Sequence, residues 1–398
     1  MTTSPPELRR NTATIGHRDV WAILGALMSS VSVSTLAFTT LAPLSGGLAF
    51  VFVSFVLFLG IYSLLVSLDE NSSTVRDRIA AVFVHGLAGL LMLALAFVVV
   101  YTFARGVGPL AHSNFYTDDM SNAGPLDPLS LGGIKHAMIG TLIMITIALV
   151  ITIPLGITCA LFLNEMPGRF SKFCRTIVEA MTALPSIIAG LFIYATFILI
   201  LGFEKSGFAA SLAISVMMLP IIIRASDVVI RLVPGSLKEA SLALGSSQWR
   251  TVWHVVLPTA RSGLTTAVIL GSARGIGETS PVLVTAGFTA AMNTNPLHGP
   301  MISLPLAVFQ FVKSPQRSFI ERGFGAAAVL LALVLLLFML ARMVGGRPPG
   351  VLTARQAKRR DAQSARDGER FVARGSKAPT AAIDLRNDLP PGSGMRTA

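Results

Sequence analysis

Long runs of apolar residues constrain this chain more strongly than any other feature. Several of them match the ~20 residues that an α-helix needs to cross the hydrocarbon core of a bilayer, and they contain few charged residues. Apolar and polar residues do not alternate along these runs, so the pattern differs from that of a transmembrane β-barrel. With 53% hydrophobic and 13% charged residues among 398, the chain is predicted to be an all-α, polytopic membrane protein.

The apolar runs predict eight membrane spans. They cover approximately residues 20–42, 48–68, 79–103, 134–163, 176–201, 208–230, 262–288 and 324–343. The polar start, residues 1–19, has no pattern of a cleaved signal peptide, and the first two runs, within 20–78, are expected to form a hairpin. The end of the chain, 345–398, is basic and rich in Pro and Gly, and it is predicted to be disordered.

The basic residues are distributed unevenly between the two sides of the membrane. Alternating the loops places most of them, with both termini and the polar segments 69–78, 164–175 and 231–262, on one side. The other side holds only Arg105, Lys205, Lys313, Arg317 and Arg322. Because basic loops favour the cytoplasm, both termini are predicted to be cytoplasmic. We attribute the formal net charge of +12 to this bias and to the tail, and we expect no nucleic-acid partner.

Four charged residues fall inside predicted spans, where a charge costs ~2.5–3.5 kcal/mol on insertion scales. Arg224 and Asp227 are three residues apart, and Arg274 and Glu278 are four apart. Both spacings place the partners on one helix face, so both pairs are predicted to form ion pairs. One interpretation is structural: the two pairs lock neighbouring helices together.

The other interpretation is an anion pathway. Gly275 and Gly277 lie between Arg274 and Glu278 and would allow another helix or a hydrated ligand to approach closely. An arginine presents a rigid fork of donors that suits the oxygens of a tetrahedral anion, and a neighbouring carboxylate can hold it when no anion is bound. The candidate path residues are Arg224, Arg274, Glu278 and Thr279.

A polar segment between the sixth and seventh runs has a helix–turn–helix pattern. Ser236 and Glu239 have the spacing of a capping box at the start of the first helix, and Gly245 is placed to end it. A second short helix is predicted over 248–256, closed by Leu257-Pro258. The segment is either an ordinary connection between spans or a compact docking surface outside the membrane.

Several catalytic and cofactor-binding patterns are absent from the sequence. It has no Gly-x-x-x-x-Gly-Lys-Ser/Thr nucleotide-binding loop, no Gly-x-Ser-x-Gly elbow, and no His-x-x-x-His or Cys-x-x-Cys spacing. The chain is therefore expected to be neither an enzyme nor a metalloprotein, and no cofactor is predicted.

The polar segment is similar to the EAA loop of ABC-importer permeases. The residues that carry the resemblance are Glu239-Ala240-Ser241, Gly245 and Val255-Val256-Leu257-Pro258. Ser241 replaces the usual second Ala, and Val255 stands where Ile is common. In that family the loop is a pair of short cytoplasmic helices that docks on the ATPase subunit, and we call residues 231–262 the coupling loop. The resemblance implies that the ATPase is contacted by Glu239, Ala240, Gly245, Trp249, Leu257 and Pro258.

Three further stretches resemble the phosphate-specific, or Pst-type, permeases. They are residues 270–281 with Arg274-Gly275-Ile276-Gly277-Glu278-Thr279, residues 219–224 followed by Arg231-Leu232-Val233-Pro234, and residues 132–134 followed by Gly140-Thr141-Leu142. The second stretch favours the PstA type over its PstC partner. The resemblance covers about residues 79–343 and implies a six-helix ABC-importer permease core over 79–344, to which the hairpin and the tail are additions.

This resemblance implies an ATP-driven importer of inorganic phosphate in the cell inner membrane. The implied partners are a PstC-like permease, two copies of a PstB-like ATPase that hydrolyses ATP, and an extracytoplasmic phosphate-binding protein; membrane lipid surrounds the spans. Two alternatives are retained. One is the same architecture for sulfate, molybdate or tungstate. The other, from a different class, is an ion-coupled secondary transporter, which would not need a docking loop.

Overall fold

The computed structural model describes residues 17–41, 46–68, 72–345 and 354–375. All regular secondary structure within these ranges is helical, as predicted. The helices are α1 (His17–Leu36), α2 (Gly47–Ser67), α3 (Ser72–Leu110), α4 (Asn114–Thr117), α5 (Lys135–Glu165), α6 (Arg169–Thr182), α7 (Ser186–Ile193), α8 (Gly207–Arg231), α9 (Gly235–Ala243), α10 (Gln248–Thr251), α11 (Leu257–Ile276), α12 (Ser280–Thr285), α13 (Leu304–Lys313), α14 (Arg317–Gly345) and α15 (Ala354–Gly375). Short π-helical turns cover Ala37–Leu41, Tyr194–Ile200 and Val252–Val256.

Six helices in the described ranges are long and apolar enough to cross a membrane. They contain the stretches Val20–Thr40, Ala49–Ser67, Val75–Leu110, Lys135–Glu165, Gly207–Arg231 and Arg317–Met343. A seventh crossing results if α6 and Ser186–Ile200 are counted together, although these two helical segments are bent by 107°. The sequence predicted one continuous span over 176–201, and this prediction is wrong. Pro185 lies at the break, where it lacks an amide hydrogen and disfavours a helical conformation of the preceding residue.

The predicted seventh span, residues 262–288, also differs from the structure. α11 ends at Ile276, and the short helix α12 begins only at Ser280. α11 is not among the six helices above, because two arginines and several Ser, Thr and Gly residues lower its hydropathy. The break between α11 and α12 contains Glu278 and Thr279, two residues that the sequence had placed inside a continuous span.

The chain divides into two compact units, Met1–Val107 and Gly108–Ala398. In the first unit α1 packs along α2, and their apolar side chains form a small core with the start of α3. Its buried members are Ala26, Phe58, Tyr62, Val66 and Val75. The first compact unit includes most of α3, which continues without a break to Leu110. The boundary at residue 78 between the hairpin and the permease core stays a prediction.

α8 is the central helix of the second unit. It packs against α5, α6, α7, α11 and α12, and 61% of its apolar stretch is buried, compared with 28% for α5. A Cβ atom added at Gly156 of α5 would lie 2.7 Å from Cγ2 of Ile222, and one added at Gly271 of α11 would lie 2.4 Å from Cγ1 of the same residue. Ile222 is therefore enclosed between two helices that approach α8 closely because each contributes a glycine.

A buried arginine holds the connection between α4 and α5. Arg322, near the start of α14, is 1% exposed and donates hydrogen bonds of 2.8 Å to the carbonyl oxygens of Pro128 and Leu131. The sequence had assigned Arg322 to a polar loop. It is instead a structural residue, because a buried guanidinium can satisfy several loop carbonyls at once.

Asp119 joins the same connection to the segment before α13. Its Oδ2 atom accepts a hydrogen bond of 2.9 Å from the amide of Met292, and its Oδ1 atom accepts one of 2.6 Å from the hydroxyl of Ser121. The hydrogen bond from the Ser121 side chain is the main reason that the pKa of Asp119 lies below its usual value. The two segments are thus tied by an ionised carboxylate.

The tail differs from the sequence prediction where the structure describes it. Disorder was predicted from residue 345 onward, but α15 covers Ala354–Gly375. Its residues include many good helix formers, chiefly Ala, Arg, Gln and Lys. High charge and polarity therefore do not exclude local helix formation in this segment.

Candidate functional site

The predicted ion pair between Arg274 and Glu278 is present. The Nε atom of Arg274 lies 2.8 Å from Oε1 of Glu278, and Glu278 lies in the break that follows α11. The Glu278 side chain is only 7% exposed, whereas the Arg274 side chain is 54% exposed. The buried carboxylate therefore anchors an arginine whose guanidinium group remains accessible.

The contact neutralises the charge of the buried carboxylate. The Oε1 atom of Glu278 lies 2.8 Å from Nε of Arg274, and the structure records no further polar partner for it among the described residues. Leaving a buried charged oxygen unsatisfied is costly. The site therefore favours one more donor, such as water or a protonated oxygen of a bound anion.

The two glycines beside Arg274 differ in their surroundings. A Cβ atom added at Gly275 would lie 2.4 Å from Sδ of Met218 on α8, so this glycine provides the close helix approach that the sequence predicted. Gly277 is the C-cap of α11, and an added Cβ would be 3.8 Å from carbonyl oxygens of its own helix. Of the two glycines, Gly275 is the one that brings α11 against α8.

The predicted pair between Arg224 and Asp227 does not form. Arg224 is exposed, and its Nη1 atom lies 3.5 Å from the hydroxyl of Thr182, whereas Asp227 is 7% exposed. Residues three apart on an α-helix are rotated by about 60° around its axis. On α8 this rotation leaves Arg224 at the surface and directs Asp227 toward α5 and α6.

Asp227 is the centre of a charged cluster that the sequence analysis missed. Its Oδ2 atom lies 2.8 Å from Nη1 of Arg175 on α6 and 3.0 Å from Nη2 of Arg231. Its Oδ1 atom accepts a hydrogen bond of 2.7 Å from Nδ2 of Asn164 near the end of α5. The spacing of Asp227 and Arg231 was an available signal. The partners from α5 and α6 depend on tertiary structure, and the cluster ties the ends of three helices together.

The coupling loop contains the first of the two helices that the sequence predicted. α9 covers Gly235–Ala243, and the chain turns at Gly245, whose φ angle is +83°. The next helix is capped by Ser247, which accepts a hydrogen bond from the amide three residues later. The predicted cap at Ser236 is wrong. Pro234 occupies the N-cap position without a side-chain hydrogen bond, and its fixed φ angle sets the start of the helix.

The second helix does not end at Leu257-Pro258 as predicted. α10, the π-helical turn Val252–Val256 and α11 are contiguous. The amide of Leu257 bonds to the carbonyl oxygen of Val252, five residues back. This wider turn accommodates the proline that follows, whose ring would clash in an ideal α-helix. The coupling loop is therefore continuous with α11, the helix that carries Arg274.

The coupling loop has an exposed surface with large apolar side chains. Of the residues predicted to contact an ATPase, those that are exposed are Glu239, Ala240, Gly245, Trp249 and Pro258, and Leu257 is half-buried. Leu244 is 88% exposed and Trp249 is 69% exposed, and the Trp249 ring packs edge-on against Trp253 at 5.7 Å. Clustered exposed apolar groups of this size are typical of a protein interaction surface.

Glu165, the last residue of α5, joins both helices of the coupling loop to a membrane-spanning helix. Its Oε1 atom pairs with Nζ of Lys238 on α9, and its carbonyl oxygen accepts a hydrogen bond of 3.2 Å from Nε2 of Gln248 on α10. The hydroxyls of Ser241 and Thr251, 2.9 Å apart, connect α9 with α10. No sequence spacing links Glu165 to these residues, and the sequence analysis gave it no role.

Known proteins are similar to this chain in sequence. The family model of binding-protein-dependent transport system inner membrane components matches residues 152–347. The chain is 35% identical over 271 residues to phosphate transport system permease protein PstA 1 of Mycobacterium tuberculosis (strain CDC 1551 / Oshkosh), which covers 68% of this chain and 88% of that protein. It is 36% identical over 219 residues to the phosphate transport system permease protein PstA of Pasteurella multocida (strain Pm70), covering 54% and 77%.

A weaker likeness is found among solved structures. The inward-facing MetNI methionine ABC transporter aligns with 21% identity and a TM-score of 0.39, over 54% of this chain and 91% of that chain. A similarity at this level carries no argument about function.

The helical fold, the apolar spans and the family match define a class: a multi-pass inner membrane component of a binding-protein-dependent transport system. Within this class, the chain belongs to the family of PstA phosphate transport system permease proteins. The resemblance inferred from the coupling loop and from residues 270–281 is thereby confirmed.

Proposed function

We propose that this chain is the transmembrane permease subunit of an ATP-driven importer of inorganic phosphate. The observation that carries the proposal is its similarity, across 68% of this chain and 88% of that protein, to a permease named for phosphate transport. A chain that lacks a nucleotide-binding loop must receive energy from another subunit. ATP hydrolysis therefore takes place in a partner, and this chain is not itself an enzyme.

The coupling loop is the proposed docking surface for the ATPase subunit. Leu244 and Trp249 are large, apolar and exposed, and a partner would bury them. The proposed contacts are Glu239, Ala240, Gly245, Trp249, Leu257 and Pro258. Two copies of a PstB-like ATPase would serve the assembly, one on this chain and one on a PstC-like permease that forms the other half of the path.

Two connections would carry motion from the docked ATPase to the membrane. The first is the continuous helix from α10 into α11, which moves Arg274 with the loop. The second is Glu165, which holds α9 and α10 against the end of α5. For coupling to occur, the contacts made by the loop must differ between the two states of the transporter. A contact that is equal in both states would transmit nothing.

The Arg274–Glu278 pair is the proposed anion-binding part of the path. Its accessible guanidinium can donate hydrogen bonds to phosphate oxygens, and the Glu278 carboxylate can accept a hydrogen bond from a hydroxyl group of phosphate. Sulfate has no hydroxyl oxygen at neutral pH, so a carboxylate acceptor favours phosphate. Thr279 beside the pair and Arg224 on α8 complete the proposed set of path residues.

The proposal also covers the delivery of phosphate, the orientation of the chain in the membrane and the extent of the permease core. An extracytoplasmic phosphate-binding protein delivers phosphate to the outer side, and the coupling loop and both termini are cytoplasmic, in accord with the loop charges. The proposed permease core is 79–344, and the hairpin within 20–78 is an addition to it that faces lipid. An importer of sulfate, molybdate or tungstate is the less favoured alternative.

Co-purification tests the proposal. The chain is co-expressed with a PstC-like permease and a PstB-like ATPase, and the complex is reconstituted into vesicles with the phosphate-binding protein. We expect the ATPase to co-purify with the chain, and ATP hydrolysis to rise when phosphate-loaded binding protein is added. Stimulation of ATP hydrolysis by sulfate or molybdate but not by phosphate would contradict the assignment of phosphate as the substrate. Failure of the ATPase to associate would contradict the importer itself.

A further inference from the structure

α15 presents a polar, basic surface whose function the permease core does not explain. Every residue from Lys358 to Arg370 is exposed. This stretch holds five basic and three acidic residues. The apolar residues of this stretch are alanines, so residues 358–370 have no large apolar face that would insert deeply into a bilayer. The larger apolar residues of α15, Phe371 and Val372, follow this stretch. Any partner of this surface must be recognised by charge.

The basic residues form a stripe along one side of α15. Arg359, Arg366 and Arg370 are spaced seven and four residues apart, which places them within an arc of about 40° around the helix axis. Asp361 lies about 160° from the centre of this stripe at the same rotation per residue. The other two acidic residues of this stretch, Asp367 and Glu369, lie about 80° to either side of the stripe. Asp367, 3.7 Å from Arg370, is the nearest acidic group to the stripe that the structure records.

The position of α15 in the chain keeps it near the bilayer. It begins at Ala354, and the membrane-spanning helix α14 ends at Gly345. The intervening residues, 346–353, can extend over at most ~29 Å even if fully stretched. The start of α15 is therefore always within a few nanometres of the membrane surface.

We propose that α15 lies on the bilayer surface and binds anionic phospholipid headgroups through Arg359, Arg366 and Arg370. Juxtamembrane clusters of basic residues bind anionic lipids electrostatically, and the phosphodiester oxygens of the headgroups match the donors of arginine. Because alanine contributes little insertion, the attachment depends on charge and is weakened by salt. The acidic face around Asp361 points to water.

The experiment uses the full chain in lipid nanodiscs of two compositions, phosphatidylcholine alone and equimolar phosphatidylcholine and phosphatidylglycerol. A fluorophore is attached at residue 363, within the stripe, through Gln363→Cys in a chain whose native residues Cys159 and Cys174 are replaced by serine. A quencher on the headgroup of a tracer lipid reports proximity. We expect strong quenching in the anionic nanodiscs that high salt reverses, and weak quenching in the neutral ones.

A pair of charge-matched variants separates the stripe from net charge. Arg359→Gln with Arg370→Gln removes two charges from the stripe, and Lys358→Gln with Arg360→Gln removes two charges from its flanks. At roughly 1 kcal/mol per basic residue at the surface, the stripe variant lowers the ratio of bound to free helix by about tenfold or more. The flank variant should have a clearly smaller effect, because its two charges lie outside the stripe. Glutamine keeps the helix propensity in both variants, so a difference between them reports the position of the charges.

Three results would overturn the proposal. Equal quenching in neutral and anionic nanodiscs would exclude recognition of lipid charge. Equal effects of the two variants would exclude the stripe as the part of α15 that binds the headgroups. Absence of quenching in the anionic nanodiscs at low salt would exclude lipid binding and leave an acidic protein surface as the candidate partner.

Discussion

Glu165 and Lys238 form an ion pair that connects the coupling loop to the end of a membrane-spanning helix, although they are 73 residues apart in the sequence. Both side chains are largely shielded, with 16% and 26% of their surfaces exposed. Gln248 adds a hydrogen bond to the carbonyl oxygen of the same glutamate. Both helices of the loop are therefore attached to the last residue of α5.

This attachment predicts a defect in coupling when the ion pair is broken. Lys238→Glu places two carboxylates together and should lower phosphate uptake per ATP hydrolysed several-fold, whereas the ATPase still binds. The pair itself contributes about 1 kcal/mol or less, so folding should survive. Adding Glu165→Lys reverses the charges and should restore uptake. If the double variant is no better than the single one, the pair does not carry the coupling.

The charged cluster around Asp227 predicts a larger effect on stability than the Glu165–Lys238 ion pair does. Asp227→Asn leaves Arg175 and Arg231 without their shared carboxylate, and losing hydrogen bonds to a charged group costs roughly 1.5–3 kcal/mol. The midpoint of thermal unfolding in detergent should fall by several degrees. Arg224→Gln is the control on the same helix, because Arg224 is exposed and does not contact Asp227. Equal midpoints for the two variants would contradict the central place given to Asp227.

The enclosure of Ile222 predicts which glycines tolerate a side chain. Gly271→Ala puts a methyl group 2.4 Å from Ile222, and overpacking of this kind costs about 1–3 kcal/mol. Gly277→Ala is the matched control, since its nearest neighbours would be 3.8 Å away. We expect a lower unfolding midpoint for the first variant only. Ile222→Val should rescue it partly by removing a methyl group.

The accessible guanidinium of Arg274 predicts a transport defect, which comes with some loss of stability because the buried Glu278 carboxylate loses its ionic partner. Arg274→Gln removes a charge-assisted hydrogen bond to the anion, a loss of about 1.5–3 kcal/mol, or roughly ten- to a hundredfold in uptake. Arg274→Lys should recover only part of this, because lysine lacks the fork of donors. Arg317→Gln, which changes an arginine side chain that is 89% exposed, serves as the control. Near-normal phosphate uptake by a well-inserted Arg274→Gln variant would show that the Arg274–Glu278 pair is not part of the anion path.

The features that the sequence predicted correctly depend on short-range patterns. The helical class follows from apolar runs of membrane length, and the Arg274–Glu278 pair follows from a spacing of four residues, which is kept although Glu278 lies just beyond the end of α11. The turn at Gly245 follows from the need for a positive φ angle, which glycine adopts without strain. In each case the relevant physics acts within a few residues, so the sequence contains the necessary information.

The features that were missed depend on contacts between distant segments or on local departures from ideal helices. Asp227 was expected to pair with Arg224, but Arg175 of α6 is the better-placed partner once α6 packs against α8. The continuation of the second helix through Pro258 depends on a π-helical turn, which no propensity scale anticipates. Glu165 became a candidate only when the fold brought it to the coupling loop.

ATP-driven phosphate uptake by the Gly245→Asp variant tests the central claim most directly. The complete complex is reconstituted with radiolabelled phosphate outside and ATP inside. Gly368→Asp is the matched control, because it adds the same charge at an exposed glycine of α15 that has no neighbour within 4 Å. We predict that Gly245→Asp inserts normally but loses most uptake and most of the bound ATPase, while the control transports like the original chain. Full ATP-driven uptake by the Gly245→Asp variant would contradict the assignment of the coupling loop as the site where energy enters this protein.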